Sequence, residues 1–175
     1  PLVAALGRGV IRASVDGFHN PREVRYKRGK DAETFFSDSY NYDELKRVLL
    51  NPLSPGGNRE YTPSIFNVDE DRTVVRELKL AGESDILIFD GIFLHRQELR
   101  HYWDFSVFLD VSFEQSIPRG AQRGAGSPDI LDTSNARYIN GQKNYLQQFL
   151  PQNIATVHVD YNDLKFPRIV RINQG

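Results

Sequence analysis

The apolar positions of this chain fall into short runs separated by polar turns. The sharpest is Ile86–Phe89, which gives way within one residue to Asp90-Gly91. A run of that length, rich in Ile and Phe and bounded by acidic and turn signals, predicts a fully buried strand. Val10–Val15 (VIRASV), bracketed by Gly9 and by Asp16-Gly17, predicts a second strand that ends the same way. Phe105–Val111 and Thr156–Val159 predict two more, with a polar tail after the last.

Helical spacing fills the intervals. Pro1–Leu6 reads as the tail of a helix closed by Gly7 and Gly9. Asp43–Leu50 carries an apolar stripe (Leu45, Val48, Leu49), with Asp43 placed to cap it and Asn51-Pro52 to stop it. Arg96–Tyr102 predicts a short helix. Ser112 and Gln115 form a capping box that opens another, with Pro118 expected to kink or shorten it. If that helix resumes, Arg119 and Arg123 stand on one face. Ala136–Phe149 is the longest helical pattern, and Gly124–Asp132 reads as a mobile loop. Tyr61–Phe66 and Thr73–Leu78 are β-rich runs expected to pair as an antiparallel hairpin inserted over residues 60–78. Strands alternating with helices predict a three-layer α/β fold with a mostly parallel sheet in a single domain.

Composition narrows this little. Hydrophobic residues at 39% and charged residues at 26% describe an ordinary globular chain, and 175 residues suffice for one core. A net charge of −1 gives no general attraction to nucleic acid or to an anionic membrane. There is no cysteine, and no apolar run approaches the roughly 20 residues needed to cross a bilayer. The expectation is a cytoplasmic protein with a small-molecule substrate, with assembly into homo-oligomers left open. The sequence opens on Pro1 and contains no Met, so residues are expected to precede it.

Candidate chemistry gathers where the strands end. In open parallel sheets, ligands bind beyond the carboxyl ends of the strands. An apolar strand ending in Asp is also how nucleotide phosphotransferases place an acid near Mg²⁺. Asp-Gly is equally a common turn dipeptide, so Asp90 alone is open to both readings; two strands each delivering an Asp is the stronger signal. Asn20–Lys30 holds Arg22, Arg25, Lys27, Arg28 and Lys30, which read as a solvated loop or as a positive flap over a phosphorylated ligand. Asp31–Asp43 interleaves aromatics with acids, as a pocket wall would, while Tyr40, Tyr42 and Trp103 read as core. The scattered histidines lack metal-ligand spacing, and no GxSxG elbow supports a serine hydrolase. The phosphate-cradling GxxxxGK[ST] does not occur in these residues: Gly29-Lys30 is followed by Asp31, with Val24 where the first glycine belongs.

The segments VIRASVDGFHNPREVRYKRG, FFSDSYNYDEL, DILIFDGIFLHRQELRHYWDFSVFLDV and PRGAQRG, in that order, resemble the uridine kinase family of P-loop nucleoside kinases, especially its bacterial uridine kinase-like branch. The resemblance runs from about Val10 to the last strand. It implies a P-loop kinase-like fold whose phosphate loop lies upstream of Pro1, with ATP and Mg²⁺ as cofactors and a pyrimidine nucleoside as 5′-hydroxyl acceptor. It places Asp16 as the base that activates the hydroxyl, close to Mg²⁺, and Asp90 as the Walker B acid at the metal. Arg119 and Arg123 match lid arginines over the phosphates, in a lid region spanning residues 112–135. Phe18, His19 and Asp38 match contacts to base and ribose, and Phe66 is the candidate to stack on the base. Asn67 and the basic flap depart from the family pattern, so pantothenate or a sugar phosphate also stand as acceptors. A non-catalytic nucleotide-binding relative is the rival from another class.

Overall fold

A computed structural model describes residues 7–75, 77–124 and 126–173. The helix tail expected over Pro1–Leu6 lies outside the described residues. The chain divides into two compact units, Pro1–Gly29 with Ser37–Leu94, and Lys30–Phe36 with His95–Gly175.

The first unit is built on two strands. β1 (Val10–Ser14) lies parallel to β6 (Ile86–Asp90), in a register that runs from Val10↔Ile86 to Ser14↔Asp90. Parallel pairing brings both carboxyl ends to the same side, and this register sets Ser14 beside Asp90. The prediction that Ile86–Phe89 is fully buried is corrected: β6 is half-buried, with Ile88 45% exposed. Among the described residues β6 pairs only with β1, and a strand hydrogen-bonded along one edge leaves its other side accessible. The packed interior lies past the strand ends, where Val15, Phe18, Leu45, Leu49 and Phe93 are fully buried.

The first long helical stretch differs from its prediction at both ends. Asn41, not Asp43, is the cap: its Oδ1 accepts from the Glu44 backbone N–H at 3.0 Å. Asp43 falls in the first turn, where a carboxylate suits the positive helix end, and pairs with Lys46 at 2.9 Å. Tyr42–Leu45 is followed by a π-turn over Lys46–Leu50 and by Asn51–Leu53, so Asn51-Pro52 does not stop the chain. The missing N–H of Pro52 falls where the hydrogen-bond ladder is already changing, and so disturbs it little. In the inserted segment, β2 (Glu60–Tyr61) pairs antiparallel with β5 (Lys79–Leu80), and β3 (Phe66–Asn67) with β4 (Arg72–Thr73). Asn67 closes the inner turn by accepting from Asp69 and Glu70 N–H at 3.0 and 3.2 Å.

The second unit holds a three-stranded sheet of β7 (Val107–Asp110), β8 (Val157–Asp160) and β9 (Arg168–Ile172). β7 and β8 are parallel, and β9 returns antiparallel beside β8 with a register shift at His158/Val159. The expected polar tail is thus partly a strand. Its apolar Ile169, Val170 and Ile172 are exposed, so backbone pairing and an Arg168–Asp160 bond of 2.6 Å define it rather than burial. Arg168 and Asn162 together hold the Asp160 carboxyl at about 2.

Helices in this unit also sharpen the prediction. The expected Arg96–Tyr102 helix is a single 3₁₀ turn, Arg100–Tyr102. Phe113–Ala121 starts after Ser112, whose hydroxyl makes no capping bond, and runs through Pro118, which costs it one ladder bond. Because it ends at Ala121, Arg119 lies on the helix and Arg123 beyond it, so the two do not share a helical face. Ala136–Phe149 forms over its expected length. The loop before it is fastened: buried Asn135 donates Nδ2 to the carbonyls of Ser127 and Asp129, at 2.9 and 2.8 Å. Among the described residues no helix is long and apolar enough to cross a membrane.

Candidate active site

The parallel register joins the two acids through Ser14. Its Oγ donates to Asp90 Oδ2 at 3.0 Å and accepts from the Asp16 backbone N–H at 3.3 Å. Asp16 follows directly, on a 3₁₀ turn over Val15–Phe18 that Ser14 caps. Asp16 and Asp90 therefore stand at the carboxyl ends of adjacent parallel strands, both open to solvent. Gly91 turns the chain away from β6 at φ 148°, tight against Val15.

Two rings back Asp16. His19 Nδ1 lies 2.9 Å from the Asp16 carbonyl oxygen; since a carbonyl only accepts, Nδ1 carries the proton. Burial lowers the His19 pKa, outweighing the opposing pull of Asp16, so the ring is neutral near pH 7. Tyr40 packs against it with centroids 4.5 Å apart and the rings tilted by 54°, and donates its hydroxyl to Asp16 Oδ1 at 3.2 Å. Burial, reinforced by the Asp16 charge, raises the Tyr40 pKa well above its usual value and keeps this donor protonated.

Beside these rings is a cavity of about 210 Å³ whose walls include His19, Asn41, Glu44, Ile65, Phe66 and Val74. The fold thus brings together His19 and Phe66, residues far apart in sequence. Phe18 is a correction: it is fully buried, 6.5 Å from the Phe89 ring, and has no surface to offer a ligand. It supports the strand ends from beneath. Asp38 is already engaged, with both carboxylate oxygens accepting from Arg28 at 2.7 and 3.0 Å. Arg25 likewise pairs with Asp71 at 3.1 Å, so two of the basic side chains of Asn20–Lys30 are bound within the unit.

Arg119 and Arg123 belong to the second unit. Arg119 donates to the carbonyls of Tyr161 and Asn162 and to Gln115 Oε1. No side-chain hydrogen bond or ion pair of Arg123 is found among the described residues. Sequence reasoning missed Ser14, and it read Tyr40 as core within a segment suited to a pocket wall, without linking it to Asp16. Neither carries a local signal, because each acts through a partner distant in sequence.

Among the described residues no three acidic or histidine side chains gather as a metal cage. Two exposed carboxylates at strand ends nevertheless suit Mg²⁺, which keeps several waters and takes one or two carboxylates with phosphate oxygens.

Acids at the ends of adjacent parallel strands, in an α/β fold, are the arrangement of phosphoryl-transfer proteins. Residues 3–165 match the model of the phosphoribulokinase / uridine kinase family, and the chain belongs to that family of kinases. A pantothenate kinase of Limosilactobacillus fermentum is 28% identical over 114 residues, which are 59% of this chain and 35% of that protein. The chain thus spans about a third of that relative's length. A solved structure, described as a possible uridine kinase from Bacillus stearothermophilus, superimposes with a TM-score of 0.68 at 22% identity, covering 90% of this chain and 75% of the other. At that identity the likeness is one of fold, and it is the α/β kinase-like fold expected from the sequence.

Proposed function

We propose that this protein is a cytoplasmic kinase that transfers the γ-phosphoryl group of ATP to the 5′-hydroxyl of a pyrimidine nucleoside, uridine or cytidine. The observation that carries this reading is Ser14 joining Asp16 and Asp90 across the ends of β1 and β6. Asp16 accepts the proton of the attacking hydroxyl, whose oxygen forms the new bond to phosphorus as the bond to ADP breaks. Asp16 and Asp90 are the residues that would hold Mg²⁺. When bound, that ion neutralises charge building up on the phosphates.

His19 and Phe66 wall the acceptor cavity, and Asp38 meets ribose hydroxyls in exchange for Arg28. Residues 112–135 serve as a lid within a single kinase domain, with Arg119 and Arg123 supplying positive charge to the phosphates. For Arg119 this means releasing the Tyr161 and Asn162 carbonyls and Gln115; among the described residues Arg123 has no side-chain bond to give up. The similarity to a pantothenate kinase favours a second acceptor, pantothenate, at the same cavity.

ADP release by the intact protein with uridine, cytidine, pantothenate and ribulose 5-phosphate decides among acceptors. Asp16→Asn is expected to lose about 10²–10⁴-fold in turnover while still binding ATP; normal turnover in that variant removes Asp16 as the base. A protein that binds nucleotide yet turns over no acceptor is the non-catalytic relative instead.

A further inference from the structure

Tyr40 reaches Asp16 from within the packed interior. The residue is 5% exposed, its ring packs against those of His19 and Tyr42, and its backbone forms an antiparallel bridge with His19. A buried hydroxyl requires a partner, and many sites would supply a backbone carbonyl. Here the partner is the carboxylate at the strand end, 3.2 Å away.

The contact is one-sided. Tyr40 donates to Oδ1, and the His19 ring approaches the same oxygen at 4.0 Å. Asp16 Oδ2 has no protein hydrogen bond among the described residues. The Asp16 side chain is 65% exposed, and an exposed carboxylate without a tether samples several rotamers. A single anchored oxygen selects one of them and sets the direction of the other.

We propose that Tyr40 is a positioning residue whose hydroxyl pins Asp16 Oδ1 and so presents Oδ2 to the acceptor. This rests on the phosphotransferase reading above. In the step it serves, the acceptor O–H proton passes to Asp16 Oδ2 as the acceptor oxygen bonds to the γ-phosphorus. The phosphorus–oxygen bond to the β-phosphate breaks with its electron pair leaving on ADP. The Tyr40 proton stays where it is. Loss of the tether lowers the fraction of bound complexes poised to react and leaves the acceptor's own contacts intact.

Tyr40→Phe keeps the ring and removes only the hydroxyl. In the intact protein it is expected to lower kcat about tenfold, with the acceptor KM within about twofold of wild type and the melting temperature lowered by only a few degrees. Wild-type kcat in this variant overturns the proposal, as does a raised KM with kcat preserved, which marks a binding contact instead. A second measurement stands apart from turnover and from the folding of that variant. The Tyr40 hydroxyl proton is expected as a slowly exchanging signal in the proton NMR spectrum of the wild type, lost in Asp16→Ala. A signal unaffected by Asp16→Ala overturns the proposal. If the wild type releases no ADP with any acceptor, the phosphotransferase reading itself fails; if it is active and Tyr40→Phe matches it, only the positioning role fails.

Discussion

Arg28 grips Asp38 at two points, with Nε donating to Oδ2 at 3.0 Å and Nη2 to Oδ1 at 2.7 Å. The same Nη2 also reaches Ser37 Oγ at 2.7 Å. The basic stretch that reads in sequence as a solvated loop or a flap is thereby fastened to the residue expected to meet the acceptor. An arginine in this two-point geometry is a stronger partner for a carboxylate than a single hydroxyl, so acceptor binding at Asp38 competes with Arg28. Arg28→Ala is expected to lower the KM of a ribosyl acceptor severalfold in the ADP-release assay. An unchanged or higher KM places the ribose elsewhere.

The same pair has a pH signature. The Arg28 hydrogen bonds hold the Asp38 carboxyl below its ordinary value, against a burial that pushes it up. A carboxyl depressed in the folded state contributes stability above its unfolded value of about 3.9 and loses it as pH falls through the lower folded value. Wild type is expected to melt slightly above Arg28→Ala at pH 6, by less than about 1 kcal/mol because the guanidinium is half exposed. The two curves should converge as pH falls through the lowered folded value and the carboxyl takes up its proton. A difference that persists once the carboxyl is protonated assigns the stabilisation to packing of the Arg28 stem instead.

Ser14→Ala removes both the donor to Asp90 and the cap of the 3₁₀ turn that carries Asp16. The lost cap is expected to cost about 1 kcal/mol in thermal or urea unfolding. In addition, the Mg²⁺ concentration needed for half-maximal turnover should rise severalfold, since Asp90 loses its orienting partner. An unchanged Mg²⁺ requirement separates Asp90 from the metal.

Gly91→Ala tests the turn that follows β6. At φ 148° only glycine is unstrained, and an added Cβ would lie 2.2 Å from Cγ1 of fully buried Val15. Strain and overpacking together are expected to cost about 2–4 kcal/mol in denaturant unfolding. Gly56→Ala also occupies a positive φ, but its Cβ meets nothing within 4 Å, so it should cost less. Equal losses remove packing against Val15 as the cause.

Asn135→Ala addresses the loop that reads in sequence as mobile. Its side chain is buried and supplies both bonds that fasten Ser127 and Asp129. Their loss takes this donor from the Ser127 carbonyl, while the Asp129 carbonyl keeps the Asp132 N–H at 3.1 Å, at a cost of about 1 kcal/mol. Residues 126–132 are expected to exchange amide hydrogens faster and to become the first site of proteolytic cleavage. Unchanged protection there means that the turns of the loop suffice.

Local signals carried well where they depended on near neighbours. The run VIRASV, the apolar stretch before Asp90 and the long helix over Ala136–Phe149 are each legible from period and punctuation. Exposed or strained elements were less so. β9 keeps its apolar residues in solvent and shows no burial period, and the π-turn at Lys46–Leu50 lets the helix run on past its apparent stop. Asn41 won the cap from Asp43 because the backbone enters helical geometry two residues earlier than composition implies.

The sequence by itself determined which residues arrive at strand ends, because an apolar run followed by an acid and a glycine is written within a few consecutive positions. Only the tertiary structure decided what those acids touch. Ser14 meets Asp90 across a separation of 76 residues, and Tyr40 meets Asp16 across 24. Such contacts follow from strand register and chain reversal, which reflect packing summed over the whole unit and are encoded in no single stretch.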